Sequence, residues 1–331
     1  MTLTDRTQSD APAARRRVPS WVTVPVMFGA GALAAVQAGV NSDLAGALGT
    51  GPRAGATASV ISFGSGLVIL SLVMVVAPRS RHRVEMVGRR VRRSTVPLPI
   101  LAGGLLGALL VAAQTLSVGV LGVSTFVVAF VAGQSVSGLV VDHLGLGPAG
   151  RQPVSSTRVV AAVLSLAAVV LASIERVAGS QALTGGEIAL LALPLAAGVG
   201  FALQQAANGR LSAQTDPWAA AWNNFLVGTV ALIVLALVTL LRPGDLTVPP
   251  ADPHLYVGGA IGVVVIGLSA ALVKRHGVLT LSLCVIAGQV VMAQVLDAID
   301  PSTPVTALAA TGAALTLVGV AIALAGNRRH A

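Results

Sequence analysis

From the N terminus onward, long apolar runs alternate with short polar segments. The runs recur at about 20 residues, the length a helix needs to cross the hydrocarbon core of a bilayer. Ten can be placed, at residues 22–42, 54–77, 98–117, 122–142, 158–175, 188–208, 218–241, 255–273, 278–297 and 304–325. Little more than Val118-Gly119-Val120-Leu121 separates the third from the fourth, and Lys274-Arg275-His276-Gly277 separates the eighth from the ninth. Each of those pairs is expected to form a tight helical hairpin. The pattern predicts an all-α polytopic membrane protein of ten transmembrane helices.

Composition supports the same solvent. A chain of 331 residues with 55% hydrophobic residues, 10% charged residues and a mean hydropathy of +0.86 has too much apolar surface for a soluble core. Its net charge of +9 does not point to nucleic acid, because the arginines cluster between apolar runs and only three Trp, one Tyr and six Phe are present for base stacking. The charge reads as topology instead, since segments rich in Arg and Lys stay on the cytoplasmic side. With the N terminus inside, eighteen of the twenty-one Arg and Lys residues fall in cytoplasmic segments, seven of them in residues 78–97, and only Arg53, Arg176 and Arg242 face outward. An even number of spans with both termini inside satisfies that count.

Arg15, Arg16 and Arg17 precede the first run, and Ala32-Leu33-Ala34 resembles a signal-peptidase site. Cleavage there would remove half of a run whose motif recurs later, so a retained first span is the better reading. The one cysteine, Cys284, supports neither a disulfide framework nor a metal cluster. His82, His143, His254, His276 and His330 fall in loops or at span ends, and no catalytic or metal-ligand spacing is present. No enzyme activity, cofactor or metal is expected.

Sliding the chain on itself exposes a duplication. Gln37 and Asn41 match Gln204 and Asn208 at an offset of 167; Ser62, Phe63 and Gly66 match Asn224, Phe225 and Gly228 at 162. Gly103, Gly104 and Gly107 match Gly258, Gly259 and Gly262 at 155, as Gly122 matches Gly277, and Gln134 and Asp142 match Gln289 and Asp297. A five-helix unit therefore occurs twice. Because five is odd, the second unit is expected to enter the membrane from the opposite side. The loop after the second span agrees: it holds seven arginines in the first unit, but Arg242 with Asp245 and Asp252 in the second. Inverted repeats characterise secondary transporters.

Gln37 and Asn41 share one helix face, as do Gln204 and Asn208, with Gln205 in the same turn. Amides in hydrocarbon are costly unless they face the bundle interior, where they either line a substrate path or join helices. Gln134 and Asp142 form a stripe on the fourth helix that Gln289 and Asp297 repeat. Near span ends of opposite sidedness, these aspartates suit an architectural or gating role better than proton coupling. Gly103/Gly107 and Gly258/Gly262 are small-xxx-small pairs for close helix packing. Phe63 and Phe225 are expected in the core, with a cavity wall as the alternative.

Together, Q-x3-N, F-x2-G, GG-x2-G and GQ-x7-D in both halves resemble the YdcZ-type branch of the drug/metabolite transporter superfamily, in a fused two-repeat form spanning residues 25–325. The resemblance implies a ten-helix fold in which helices one to four and six to nine surround a cavity while five and ten are peripheral. It also implies a bacterial inner membrane and export. Asp43 stands where the second half has Arg210, and Ala293 where the first has Gly138. Gln37 and Gln204 stand where small multidrug exporters would suggest a membrane glutamate, which favours a neutral or weakly polar metabolite over a drug cation.

The organisation expected is a polar tail at 1–20, repeat one at 21–177, repeat two at 178–326 and a tail at 327–331. The function expected is efflux of a small polar metabolite or drug-like molecule by alternating access around a central amide-lined cavity. Its alternatives are a non-transporting structural or assembly protein and a membrane-embedded lipid-handling protein. Expected partners are the lipid bilayer, a small-molecule substrate and a second copy in a homodimer, with no nucleic acid.

Overall fold

The computed structural model describes residues 20–76, 97–148, 150–151, 155–178, 185–299 and 307–328. The arginine-rich residues 78–96 and nearly all of both tails lie outside them. Among the described residues every regular element is helical, apart from one isolated antiparallel bridge between Gly49 and Leu246. This is what a bilayer demands of a spanning backbone, which must satisfy its own N–H and C=O groups.

The elements are α1 (Ser20–Leu48), α2 (Gly51–Val76), a single turn at Leu98–Leu101, α3 (Gly103–Leu121), α4 (Val123–His143), α5 (Ser156–Ala178), α6 (Gly185–Gln214), α7 (Pro217–Thr239), a 3-10 turn at Pro253–Tyr256, α8 (Gly258–Ile299) and α9 (Ala307–Arg328). Among the described residues, seven stretches are long and apolar enough to cross a membrane, and Val159–Ala168, Gly258–Ser269 and Ala310–Ile322 are shorter apolar helices. The start of α7 shows the local logic. Pro217 opens the helix, and the Asp216 side chain accepts from Trp218 N at 2.9 Å, closing an otherwise open donor.

The two expected connectors are not loops. Val118–Leu121 belongs to α3, and the break before α4 is the single residue Gly122, whose φ of +75° is a conformation few residues other than glycine adopt. Lys274–Gly277 lies within α8, which is helical for 42 residues. A straight helix of that length would run about 63 Å, twice the bilayer core. Register shows that it turns back. Gly258 sits at Asn41 and Gly262 at Gln37, and Leu272 clusters with Met27, so the first part runs antiparallel to α1. Cys284 then shares the Met27 cluster, Gly288 meets Phe28, and Asp297 binds Val123, which touches Gly39, so the second part runs parallel to α1. α3 and α4 do the same along α6. Gly103 lies at Asn208 and Gly107 at Gln204, whereas Gly133 lies at Leu195 and Val141 clusters with Ala202 and Ala206. Both pairs are hairpins, as the spacing predicts, but with helical backbone where connectors are expected.

α1 packs along α8, α6 along α4 and α3, and α2 along α7. α5 and α9 pack mainly on each other, at the α4 and α8 side. At one end of the bundle, the α1–α2 turn is tied to the segment after α7. Thr50 N donates to Asp245 O at 3.1 Å and Thr247 N to Leu48 O at 2.8 Å, while Arg53 reaches the carbonyls of Leu240 at 2.7 Å and Gly244 at 3.0 Å.

Candidate functional site

The duplicated motifs meet each other across the two halves. On α1, Asn41 Oδ1 lies against Gly258 of α8, where an added Cβ would collide with it, and Gln37 Nε2 lies 2.9 Å from where a Cβ on Gly262 would stand. On α6, Asn208 Oδ1 lies 2.9 Å from a Cβ position on Gly103 of α3, and Gln204 Nε2 lies 2.6 Å from one on Gly107. The first-helix amides of each half thus seat on the third-helix glycines of the other, four residues apart on both sides. Neither Asn41 Oδ1 nor Asn208 Oδ1 has a hydrogen-bond partner, and each lies close to where the Cβ of any residue but glycine would stand.

The second-helix motif is self-complementary. Phe63 and Phe225 face each other with centroids 4.7 Å apart; Phe63 fills the space a side chain on Gly228 would need, and Phe225 does the same at Gly66. Further out, Gly31 is pressed against the Val285 carbonyl and Gln289 N, as Gly198 is against the Phe130 carbonyl and Gln134 N. In each case a contact in one half recurs in the other with the partners exchanged.

Amide bonds complete the centre. Gln204 Nε2 and Asn208 Nδ2 both donate to Asn224 Oδ1, at 2.7 and 3.1 Å, and Asn41 Nδ2 donates to Gln114 Oε1 at 2.7 Å. Gln204, Asn224 and Asn41 are buried. Gln204 Oε1, Asn224 Nδ2 and Ser62 Oγ are left without partners, an arrangement that costs about 1–3 kcal/mol for each group kept from water. None of these side chains is charged. Gln205 is exposed and does not join the cluster, and Gln37 is half-buried beside it.

Asp297 does something else. Its carboxylate accepts from Val123 N and Ser124 N, each at 2.9 Å, and from the Ser124 hydroxyl. It therefore caps the first turn of α4 from the far end of α8, tying the halves together where a helix N-terminus favours negative charge. Its counterpart Asp142 is half-buried at the end of α4 and has an interaction of its own. Gln134 is buried with Oε1 unpartnered, and Gln289 is half-buried.

Gln114 and Asn224 are the residues that motif reading passes over. Gln114 is a lone amide in an apolar run, and Asn224, next to Asn223, is matched to Ser62, so the repeat marks its position but not its amide.

A family model described as "Putative inner membrane exporter, YdcZ" matches residues 22–171 and again 189–322, more than four fifths of the chain in two successive regions. The chain belongs to the YdcZ family. It is a multi-pass inner membrane protein, and the family points to a transporter rather than an enzyme. The two matched regions agree with a two-repeat YdcZ-type member of the drug/metabolite transporter superfamily. No curated protein matches the sequence.

Proposed function

We propose that the protein is a secondary transporter that exports a small, neutral, polar metabolite by alternating access, with ten spans arranged as two inverted five-helix repeats and both termini in the cytoplasm. The exchanged contacts carry this reading. Motif pairs from opposite halves meet with swapped partners, as they must if one packing unit is used twice around a two-fold axis, and Phe63 against Phe225 fits a position on that axis. Residues 22–175 and 188–325 are the units so related.

The substrate site proposed is the amide group Gln37, Asn41, Gln204 and Asn208, extended by Asn224; Gln205, exposed in the same turn of α6, stands outside it. The lack of charge in the cluster and its unpartnered Gln204 Oε1 and Asn224 Nδ2 favour a ligand with both hydrogen-bond donors and acceptors and no net charge. Gly103, Gly107, Gly258 and Gly262 seat the amides, and Asp142 and Asp297 hold hairpin ends without meeting substrate. A thermal-shift screen of purified protein against neutral metabolites, followed by calorimetry, tests the site. Gln204→Ala and Gln37→Ala should each weaken binding by about 1–3 kcal/mol. Unchanged affinity in both would leave the amides as helix joints alone.

A further inference from the structure

The two halves are not packed alike. α3 lies against both α1 and α2, whereas among the described residues the matching first part of α8 scarcely meets α6 or α7. Residues at matched positions explain the difference. In the first half, Asn41 is bonded to Gln114 at 2.7 Å, and the Ser59 and Thr115 hydroxyls are bonded at 2.8 Å. The offsets of 167, 162 and 155 carry these four to Asn208, Ser269, Ala221 and Ala270. The second bond has no counterpart, because both of its residues are alanine. The first would need serine to reach as far as glutamine, and Asn208 turns to Asn224 instead.

A third difference works the same way. Trp218 occupies the position of Ala56, and its ring stands 3.1 Å from where a Cβ on Gly267 would be, a bulky spacer between α7 and α8. The matched pair Ala38 and Gln205 reports the result: Ala38 is 1% exposed in a cluster with Val118 and Val123, whereas Gln205 is exposed.

We propose that Asn41–Gln114 and Ser59–Thr115 form a polar gate at the end of the bundle where α1 meets α2, and that among the described residues the opposite end has no such gate. The resting protein is then closed to the outside and open to the cytoplasm. This rests on the transporter reading for the function of the gate and on its topology for the naming of the faces. The bias is written in side chains present in one half only, so it survives even though the backbone motifs are duplicated. Opening to the outside requires breaking both bonds, whereas closing the cytoplasmic end requires α8 to move past Trp218.

Labelling with a charged, membrane-impermeant maleimide tests the gate without a substrate. In a Cys284→Ala background, Ala38→Cys should be protected in right-side-out vesicles, and Gln205→Cys should react in inside-out vesicles. Adding Gln114→Ser with Ser59→Ala should raise the labelling rate of Ala38→Cys about tenfold, the population shift expected from losing buried hydrogen bonds. Adding Trp218→Ala should lower that of Gln205→Cys. Should the double gate variant not fold, Thr115→Val keeps the shape, removes one hydroxyl and should raise Ala38→Cys labelling about threefold. Ala38→Cys labelling that is unchanged in a folded gate variant overturns the proposal. Labelling that follows the gate in a protein that moves no compound supports the gate and removes the transporter reading. Flux with labelling indifferent to these residues removes the gate alone.

Discussion

Phe63 and Phe225, which hold the same place in the two halves, stand ring to ring with centroids 4.7 Å apart and an interplanar angle of 32°. Both are buried, and each occupies the space opposite the other's glycine. Truncation should leave a void that the α2–α7 contact cannot close. Phe63→Ala and Phe225→Ala are each expected to cost about 3–5 kcal/mol in denaturant unfolding of the detergent-solubilised protein. The double variant should cost less than the sum by about 0.5–1.5 kcal/mol, the direct coupling between the rings. Additive losses would mean that the rings stabilise the fold independently.

Glycines that look alike in sequence should respond with opposite sign. Gly258→Ala drives a methyl into Asn41 Oδ1 and should destabilise by about 1–3 kcal/mol, and Asn41→Ala in the same chain should recover part of that loss. Gly138 has nothing within 4 Å of an added Cβ, so Gly138→Ala should stabilise α4 by about 0.5–1 kcal/mol. Thermal unfolding of the three variants checks both signs.

Asp297 receives three donors, so replacing it is not conservative. Asp297→Asn puts an amide donor opposite a backbone N–H and removes the charge that favours the α4 N-terminus. A loss of about 1–3 kcal/mol is expected in the same unfolding assay. Hydrogen exchange at Val123 and Ser124 should quicken with it. Unchanged protection there would show that the cap contributes nothing.

Much of this fold is legible in the sequence, because a bilayer permits few structures and apolar run length reports spans directly. The reversal of α8 is legible in its register even though its backbone stays helical at Lys274–Gly277, since hydropathy marks where the chain turns but not whether helical hydrogen bonding stops. The amides are legible as a group, but their partners are not. Gln37 and Asn41 share a face with period four, as Gly258 and Gly262 do, and only the fold shows that the two stripes meet. Asp297 reads as a span-end acid, and nothing local indicates that it caps a helix more than 170 residues earlier. Gln114 escapes and Asn224 is matched only by position to Ser62, because repeat matching rewards identity between halves, whereas these residues matter where the halves differ.

The arginine distribution predicts both termini and residues 78–97 in the cytoplasm. A reporter that is active only in the periplasm should be silent when fused after Ala331 and active when inserted at Thr247, in the segment before α8. Activity after Ala331 would reverse the orientation and with it the side on which the gate stands.

In the alternating access we propose, the two halves expose one shared site to each side of the membrane in turn. Counterflow measures this most directly. Proteoliposomes holding the purified protein are loaded with an unlabelled compound from the thermal-shift screen and diluted into a trace of the same compound labelled. Label should accumulate transiently and saturably above equilibrium, an effect lost in Gln204→Ala and Gln37→Ala and retained in Gly138→Ala. Tight binding of the compound with no accumulation above protein-free liposomes would rule alternating access out.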